Sequence, residues 1–173
     1  RILRKPERVD FDISAAQKGG FGHFMLKEIH EQPAVVSQIV SSRISKKGGI
    51  ILEGLNIPRT ELKKIENIII VACGTAYHAG LVGKYVIEKF TGTPVWVDLS
   101  SEFRYRKPII KHDTLVIAIS QSGETADTLA AAKEARAKGA KVISICNAVG
   151  SSLTRISDGV LYTYAGPEIG VAS

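Results

Sequence analysis

The sequence predicts an α/β fold: a three-layer αβα sandwich with a five-stranded parallel sheet, preceded by a helical segment. Two observations carry this prediction. After residue 66 the chain contains five short apolar runs rich in β-branched residues, and helix-forming stretches separate them. Such runs are typical of strands buried on both faces, and strands that alternate with helices pair in parallel through right-handed crossovers.

The elements of this sheet domain follow in order along the chain. The predicted strands are 67–73, 94–99, 114–120, 141–147 and 159–165. The predicted helices are 75–90, 124–139 and 151–157, and the stretch 100–107 is either a loop or a short helix. Gly139 is expected to end the second helix, because glycine readily adopts the left-handed conformation found there. The alternation favours a doubly wound, flavodoxin-like sheet.

The part before the sheet is predicted to be helical with loops. Apolar residues recur at helical spacing in two stretches, 21–32 and 34–44. Pro33 lies between them and is expected either to break the helix or to begin the next one in its first turn. The SKKGG sequence at 45–49 predicts a turn.

A change of pattern places the expected domain boundary near residue 65. Thr60 is the expected N-cap of a short helix over 61–66. We therefore expect an interdomain linker and N-terminal helices in 1–65, and a sheet domain in 66–173. The missing initial methionine and the abrupt end in GPEIGVAS predict that the chain is a piece of a longer protein, truncated at the C-terminal end of the sheet domain.

Composition narrows the class of protein. The 173 residues are 45% hydrophobic and 23% charged, as in soluble globular proteins, and no apolar run approaches the roughly 20 residues of a membrane span. The net charge of +6 comes from basic residues interleaved with acids, which argues against nucleic acid and suits a small anionic ligand. Cys73 and Cys146 form no CxxC pair, which predicts buried thiols in a reducing, cytoplasmic compartment.

The stretch SQSGET at 120–125 carries the strongest functional signal. It follows a predicted strand and opens a predicted helix, so backbone N–H groups and the positive end of the helix dipole should meet there. Ser120, Ser122 and Thr125 add hydroxyl donors, Gln121 adds an amide, and Gly123 allows a tight turn. This pattern predicts a phosphate site, although a polar helix cap alone would have the same composition.

The motifs that are missing restrict the phosphate ligand. The chain has no GxxxxGK[ST] triphosphate loop, no GxGxxG dinucleotide loop and no GxSxG nucleophile elbow. Neutral donors at a helix start favour a phosphomonoester. Glu124 and Asp127 lie close by and would repel a phosphate unless they point outward.

Other candidates carry weaker signals. CGTA at 73–76 and CNAVGSS at 146–152 follow other strands, so the three loops should share one edge of the sheet. His78, Glu102 and Glu168 are possible catalytic groups, but a surface or packing role is the more ordinary explanation of each. The histidines have no metal-ligand spacing.

Several stretches together resemble a known family. ISQSGETADT resembles the sugar isomerase (SIS) domain family. ACGTAYHAG, SSEFRYRKP, ICNAVGSSL, EIGVAS and AAQKGGFGHFMLKEIHEQP narrow the resemblance to the glutamine–fructose-6-phosphate aminotransferases (isomerizing), and it extends over nearly the whole chain.

The resemblance implies an enzyme and its ligands. The complete enzyme would transfer ammonia from glutamine to fructose 6-phosphate and isomerise the product to glucosamine 6-phosphate, at the start of the route to UDP-N-acetylglucosamine. It would be a cytoplasmic homodimer, independent of metals, organic cofactors, nucleic acid and membranes. Matched position by position, the residues expected to bind the sugar phosphate are Thr75, Ser120, Gln121, Ser122, Thr125, Val171 and Ser173.

The chain departs from the family in two respects. Ala76 stands where the family usually has serine, which removes one hydroxyl contact to the ligand. The glutaminase domain and the second SIS domain, which would supply the catalytic residues, are absent from this sequence. No catalytic residue is therefore assigned here, and the chain is expected to be inactive alone.

Two alternatives stay open at this point. The chain could belong to another SIS sugar-phosphate isomerase or deglycase, which Ala76 would suit. It could also be a non-catalytic SIS module that senses a sugar phosphate, although residues 1–65 contain no basic recognition helix.

Overall fold

The computed structural model describes residues 16–172, which divide into two units. The first, called here the helical unit, contains residues 16–50 and 164–172, and the second, the sheet unit, contains residues 51–163. The expected domain boundary near residue 65 stays a prediction. The basic N-terminal stretch and Ser173 lie outside the described residues.

The helical unit is built on one long helix, α1, which spans Phe24–Ser42. Pro33 lies inside α1, so the expectation that it would break or begin a helix was wrong. Proline lacks the N–H that would bond to the carbonyl of Ile29, but a 19-residue helix keeps its other bonds and tolerates the loss. The predicted turn at 45–49 is present, with the N–H of Ser45 bonded to the carbonyl of Gly49 at 2.8 Å.

The sheet unit confirms the predicted α/β fold. Its strands are β1 (Asn67–Ala72), β2 (Val95–Leu99), β3 (Thr114–Ser120), β4 (Lys141–Cys146) and β5 (Gly159–Tyr162). All neighbouring pairs are parallel, and the strand order is β2-β1-β3-β4-β5, the flavodoxin-like order. The last strand is shorter than predicted; Tyr164, two residues beyond it, has a left-handed φ of +50°.

Five helices accompany the sheet: α2 (Arg59–Leu62), α3 (Gly74–Thr91), α4 (Ser100–Arg106), α5 (Ala126–Ala137) and α6 (Ser152–Ile156). The N-cap of α2 is Pro58, so Thr60 is not the cap that the sequence predicted. Gly139, with φ of +89°, directly follows the C-cap of α5, as expected.

Two apolar clusters, one on each face of the sheet, hold the three layers of the fold together. Ile69 and Val71 of β1 pack with Phe103 of α4, Leu153 of α6 and the alanines of α5. The alternate residues Ile68 and Ile70 belong to the second cluster, which includes Ile87 of α3. Because successive side chains of a strand point to opposite faces, each β1 face is covered by different helices.

The close approach of α3 to the sheet depends on Gly80. A Cβ atom at this position would lie 3.0 Å from Cγ2 of Ile70 and 3.2 Å from Cγ1 of Val97.

Within residues 16–172, no helix is both long and apolar enough to cross a membrane.

Candidate functional site

The strand order reverses between β1 and β3, which makes this position the topological switch point of the sheet. These neighbouring strands are followed by helices that lead in opposite directions, through α3 to β2 and through α5 to β4. Ligands of doubly wound folds bind at such a switch point, beyond the carboxyl ends of the strands. Thr75 follows β1, and residues 120–125 begin at the last residue of β3, so both predicted loops lie at this edge.

Residues 120–125, called here the hydroxyl loop, curl around the side chain of Ser120. Its Oγ accepts a 3.0 Å hydrogen bond from the N–H of Gly123 and lies 3.4 Å from Oγ1 of Thr125. Ser120 is only 5% exposed. Its hydroxyl therefore shapes the loop from within, while the exposed Ser122 presents its hydroxyl at the surface.

Gly123 is required at its position for two reasons. Its φ is +65°, in the left-handed region, and a Cβ atom would lie 2.1 Å from Oγ of Ser151 and 2.8 Å from Sγ of Cys146. The hydroxyl loop is thus packed directly against the loop that follows β4. Only glycine satisfies both the conformation and the contact.

The N-terminus of α5 offers unbonded donors beside this loop. Thr125 is the N-cap, and its side chain makes no capping hydrogen bond. The first backbone N–H groups of a helix have no partner within the helix, and together with the dipole they form a favourable position for an anion. The helix begins at Ala126, so Glu124 precedes it rather than lying in its first turn.

Both acids near the loop are engaged elsewhere. The carboxylate of Glu124 accepts a 2.7 Å hydrogen bond from the N–H of Ser152, and Asp127 pairs with Arg104 at 3.1 Å. Hydrogen bonding from Ser152 lowers the pKa of Glu124 below its ordinary value. The sequence suggested that these two acids would repel a bound phosphate. This repulsion is reduced because Ser152 and Arg104 bind the two carboxylates.

The loop after β4 supports the hydroxyl loop through backbone hydrogen bonds. The carbonyl of Gln121 accepts hydrogen bonds from the N–H groups of Asn147 and Ala148, at 3.0 and 3.1 Å. The N–H of Leu153 bonds to the carbonyl of Gly123 at 3.0 Å. The sequence predicted that this loop lies at the same edge of the sheet as the hydroxyl loop. It did not predict the supporting role, because that role depends on contacts between residues that are far apart in the chain.

The loop after β1 presents a second helix start. Cys73 is the N-cap of α3 without a side-chain capping bond, and Gly74 has a left-handed φ of +57°. Thr75 is exposed in the first turn, next to Ala76. The predicted buried thiol is found at Cys146, whereas Cys73 is partly exposed.

The last two residues predicted to contact the ligand, Val171 and Ser173, lie at the end of the chain. Val171 is 57% exposed, and Ser173 lies outside the described residues. The segment before Val171 is held to α1, because Glu28 accepts hydrogen bonds from the N–H groups of Ile169 and Gly170, each at 2.9 Å.

The weaker sequence candidates lie on separate elements of the chain. His78 and Glu102 are exposed side chains on α3 and α4, respectively, and Glu168 is half-buried. Among residues 16–172, no group of three or more acidic, histidine or cysteine side chains could hold a metal ion.

Close relatives of the chain at the sequence level include proteins of two organisms. The chain is 61% identical over 165 residues to a protein of Caldanaerobacter subterraneus subsp. tengcongensis, and 59% identical over 172 residues to one of Clostridium tetani. Both are named glutamine–fructose-6-phosphate aminotransferase (isomerizing). The matches cover 95% and 99% of this chain but only 27% and 28% of the relatives. The chain therefore spans little more than a quarter of their length.

A solved structure and a family model agree with these relatives. The C-terminal domain of glucosamine-fructose-6-phosphate aminotransferase from Francisella tularensis superposes with a TM-score of 0.82 at 44% identity, covering 91% of this chain and 44% of that one. The model of the SIS domain matches residues 61–173. Because this match covers well over half of the sequence, the chain belongs to the SIS domain family.

Proposed function

We propose that this chain is the first, sugar-phosphate-binding SIS domain of a glutamine–fructose-6-phosphate aminotransferase. The whole enzyme would convert fructose 6-phosphate and glutamine to glucosamine 6-phosphate and glutamate. The observation that carries the proposal is the hydroxyl loop at the uncapped start of α5, with both neighbouring acids engaged elsewhere. The names of the close relatives support this enzyme among the many SIS functions.

In this proposal the hydroxyl loop holds the phosphate. Ser122, Thr125 and the first N–H groups of α5 donate to its oxygens, Gln121 adds its amide, and Ser120 keeps the loop in shape from beneath. Hydrogen bonds to a charged group contribute about 1.5–3 kcal/mol each. Three or four of them, less the costs of ordering, correspond to binding in roughly the micromolar to millimolar range.

The sugar is contacted from the other loops. Thr75 donates from the start of α3, and the family resemblance also assigns ligand contacts to Val171 and Ser173. Ala76 leaves only its backbone where the family usually has a serine hydroxyl.

The chemical steps belong to the rest of the enzyme. Isomerisation needs a positioned acid–base group, and imine formation with a sugar carbonyl is typically a task of lysine. We assign neither role to a residue of this chain and expect it to be inactive alone. The glutaminase and second SIS domains would complete a cytoplasmic homodimer that supplies UDP-N-acetylglucosamine synthesis.

The exposed face of α3 offers a surface for such partners. Val82, Tyr85, Val86 and Phe90 recur at helical spacing and are between 49% and 79% exposed. Apolar patches of this kind commonly mark interaction surfaces.

Calorimetric titration of the chain with fructose 6-phosphate tests the proposal. Fructose is the ligand control, and Ser37→Ala, which removes an exposed hydroxyl from α1, is the control variant. We expect binding of fructose 6-phosphate but not of fructose, and an affinity about tenfold lower in Ser122→Ala. Equal affinity of Ser122→Ala and Ser37→Ala would contradict the assignment of the hydroxyl loop.

A further inference from the structure

Three polar side chains from three different elements meet beneath the switch point. Oγ1 of Thr128 lies 3.0 Å from Oγ of Ser100 and 3.8 Å from Sγ of Cys73. Thr128 is 1% exposed and Ser100 is fully buried. Both residues lie in stretches that carry the family resemblance, ISQSGETADT and SSEFRYRKP, but sequence patterns assigned no role to either side chain.

The positions of these residues link the two loops of the candidate site. Thr128 is the third residue of α5, Cys73 is the N-cap of α3, and Ser100 is the first residue of α4. The Thr128 hydroxyl therefore joins the start of α5, beside the hydroxyl loop, to the end of β1, beside Thr75. A hydroxyl has one donor and two acceptor sites, so it can interact with both neighbours at once.

We propose that Thr128 is a positioning residue that fixes the spacing between the hydroxyl loop and the Thr75 loop, and that this spacing favours sugar phosphates over smaller phosphates. The inference rests on the proposed function. A phosphate held by the hydroxyl loop alone does not depend on where Thr75 stands. A sugar phosphate touches both loops, so its affinity depends on their spacing.

The hydroxyl, rather than the shape of the side chain, is the feature that this role needs. Valine has nearly the shape of threonine but would leave the Ser100 hydroxyl, which is fully buried, without this partner. A buried polar group without a partner is costly, so the start of α5 should shift until the group is satisfied. Serine would keep the hydroxyl and lose only a methyl group.

Thr114 provides a matched control. It is also a threonine with 1% exposure, and its hydroxyl donates to Oδ1 of Asn67 at 3.0 Å. It begins β3, whereas the candidate site lies where β3 ends.

The test is a calorimetric titration of wild type, Thr128→Val, Thr128→Ser and Thr114→Val. The ligands are fructose 6-phosphate and glycerol 3-phosphate, a phosphomonoester without the sugar. We expect Thr128→Val to bind fructose 6-phosphate about three- to tenfold more weakly while its affinity for glycerol 3-phosphate changes less than twofold. Thr128→Ser should restore wild-type selectivity, and Thr114→Val should keep it although its melting temperature falls.

Other outcomes overturn the inference. If wild type binds fructose 6-phosphate and Thr128→Val keeps its selectivity, Thr128 does not position the loops, while the proposed function stands. If Thr128→Val weakens both ligands equally, the residue only stabilises the fold. If wild type binds neither ligand, the proposed function fails and this inference fails with it.

Discussion

The carboxylate of Glu124 accepts a hydrogen bond of 2.7 Å from the backbone N–H of Ser152. This bond joins the hydroxyl loop to the start of α6 and fixes an acid that would otherwise lie free beside the candidate phosphate position. It also lowers the pKa of Glu124, because hydrogen bonding from Ser152 stabilises the charged form.

The lowered pKa predicts a pH-dependent stability. A carboxylate whose folded pKa lies below its unfolded value stabilises the protein fully above about pH 4.3, and this contribution is lost as the pH falls through the folded pKa. The melting temperature of wild type should exceed that of Glu124→Gln at pH 7, and the gap should close as the solution is acidified. Glu53→Gln, which alters an exposed glutamate, should show no such gap. A gap that stays constant down to low pH would contradict the role of the charge.

Gly123→Ala should destabilise the chain more than Gly139→Ala. Both glycines have left-handed φ values, +65° and +89°, but a Cβ atom at Gly139 would meet nothing within 4 Å. Gly139→Ala should therefore cost only the conformational penalty of about 1–2 kcal/mol. Gly123→Ala adds a clash with Ser151 and Cys146 and should cost at least about twice as much. Urea unfolding measures both, and equal costs would show that the contact with Ser151 gives way easily.

The edge strand β2 should depend on an ion pair of α3. Nζ of Lys84 donates to the carbonyl of Val95 and to Glu88, both at 2.6 Å, and Glu88 accepts the N–H of Val95 at 3.0 Å. The pair thus satisfies both outward backbone groups of Val95, which is 1% exposed. We expect Glu88→Ala to lower the melting temperature more than Glu134→Ala.

The comparison with Glu134 isolates the backbone bonds. Glu134 forms an ion pair with Lys138 at the same i,i+4 spacing, at 3.0 Å. Exposed pairs of this spacing contribute little by themselves. Similar melting temperatures for the two variants would mean that Val95 does not need its partners.

Ala76→Ser should strengthen binding of fructose 6-phosphate if the proposed function holds. The variant adds a hydroxyl in the first turn of α3, next to Thr75, and one added hydrogen bond corresponds to about a two- to tenfold gain in affinity. Ala79→Ser adds the same group one turn later and should leave the affinity unchanged. Calorimetry would reject the contact if both variants behaved alike.

Continuous apolar runs made the sheet predictable. Ile68, Ile69, Ile70 and Val71 are consecutive β-branched residues, and such a run is typical of a strand buried on both faces. The prediction that Pro33 breaks or begins a helix was wrong because the sequence shows that proline lacks a backbone N–H but does not show how long the surrounding helix is. The strand run and Pro33 are both local features of the sequence. A residue pattern describes such features directly, correctly for the strand and incorrectly for the proline.

The internal support of the candidate site could not be predicted in the same way. The partners Glu124 and Ser152 are 28 positions apart, and Gly123 meets Ser151 only because the loops after β3 and β4 lie side by side. Ser120 was expected as a ligand contact, whereas its burial and its bond to Gly123 could not be seen from residue types. Whether it also contacts the ligand stays a prediction.

Amide chemical-shift mapping with fructose 6-phosphate tests the central claim most directly. Two-dimensional ¹H–¹⁵N spectra of the labelled chain would show which backbone N–H groups respond to the ligand. We expect the largest shifts in residues 121–127, smaller shifts near Thr75, and no shifts at the opposite ends of β1 and β3, where Asn67 and Thr114 lie. Binding that leaves residues 121–127 unchanged would contradict the assignment of the hydroxyl loop as the phosphate site.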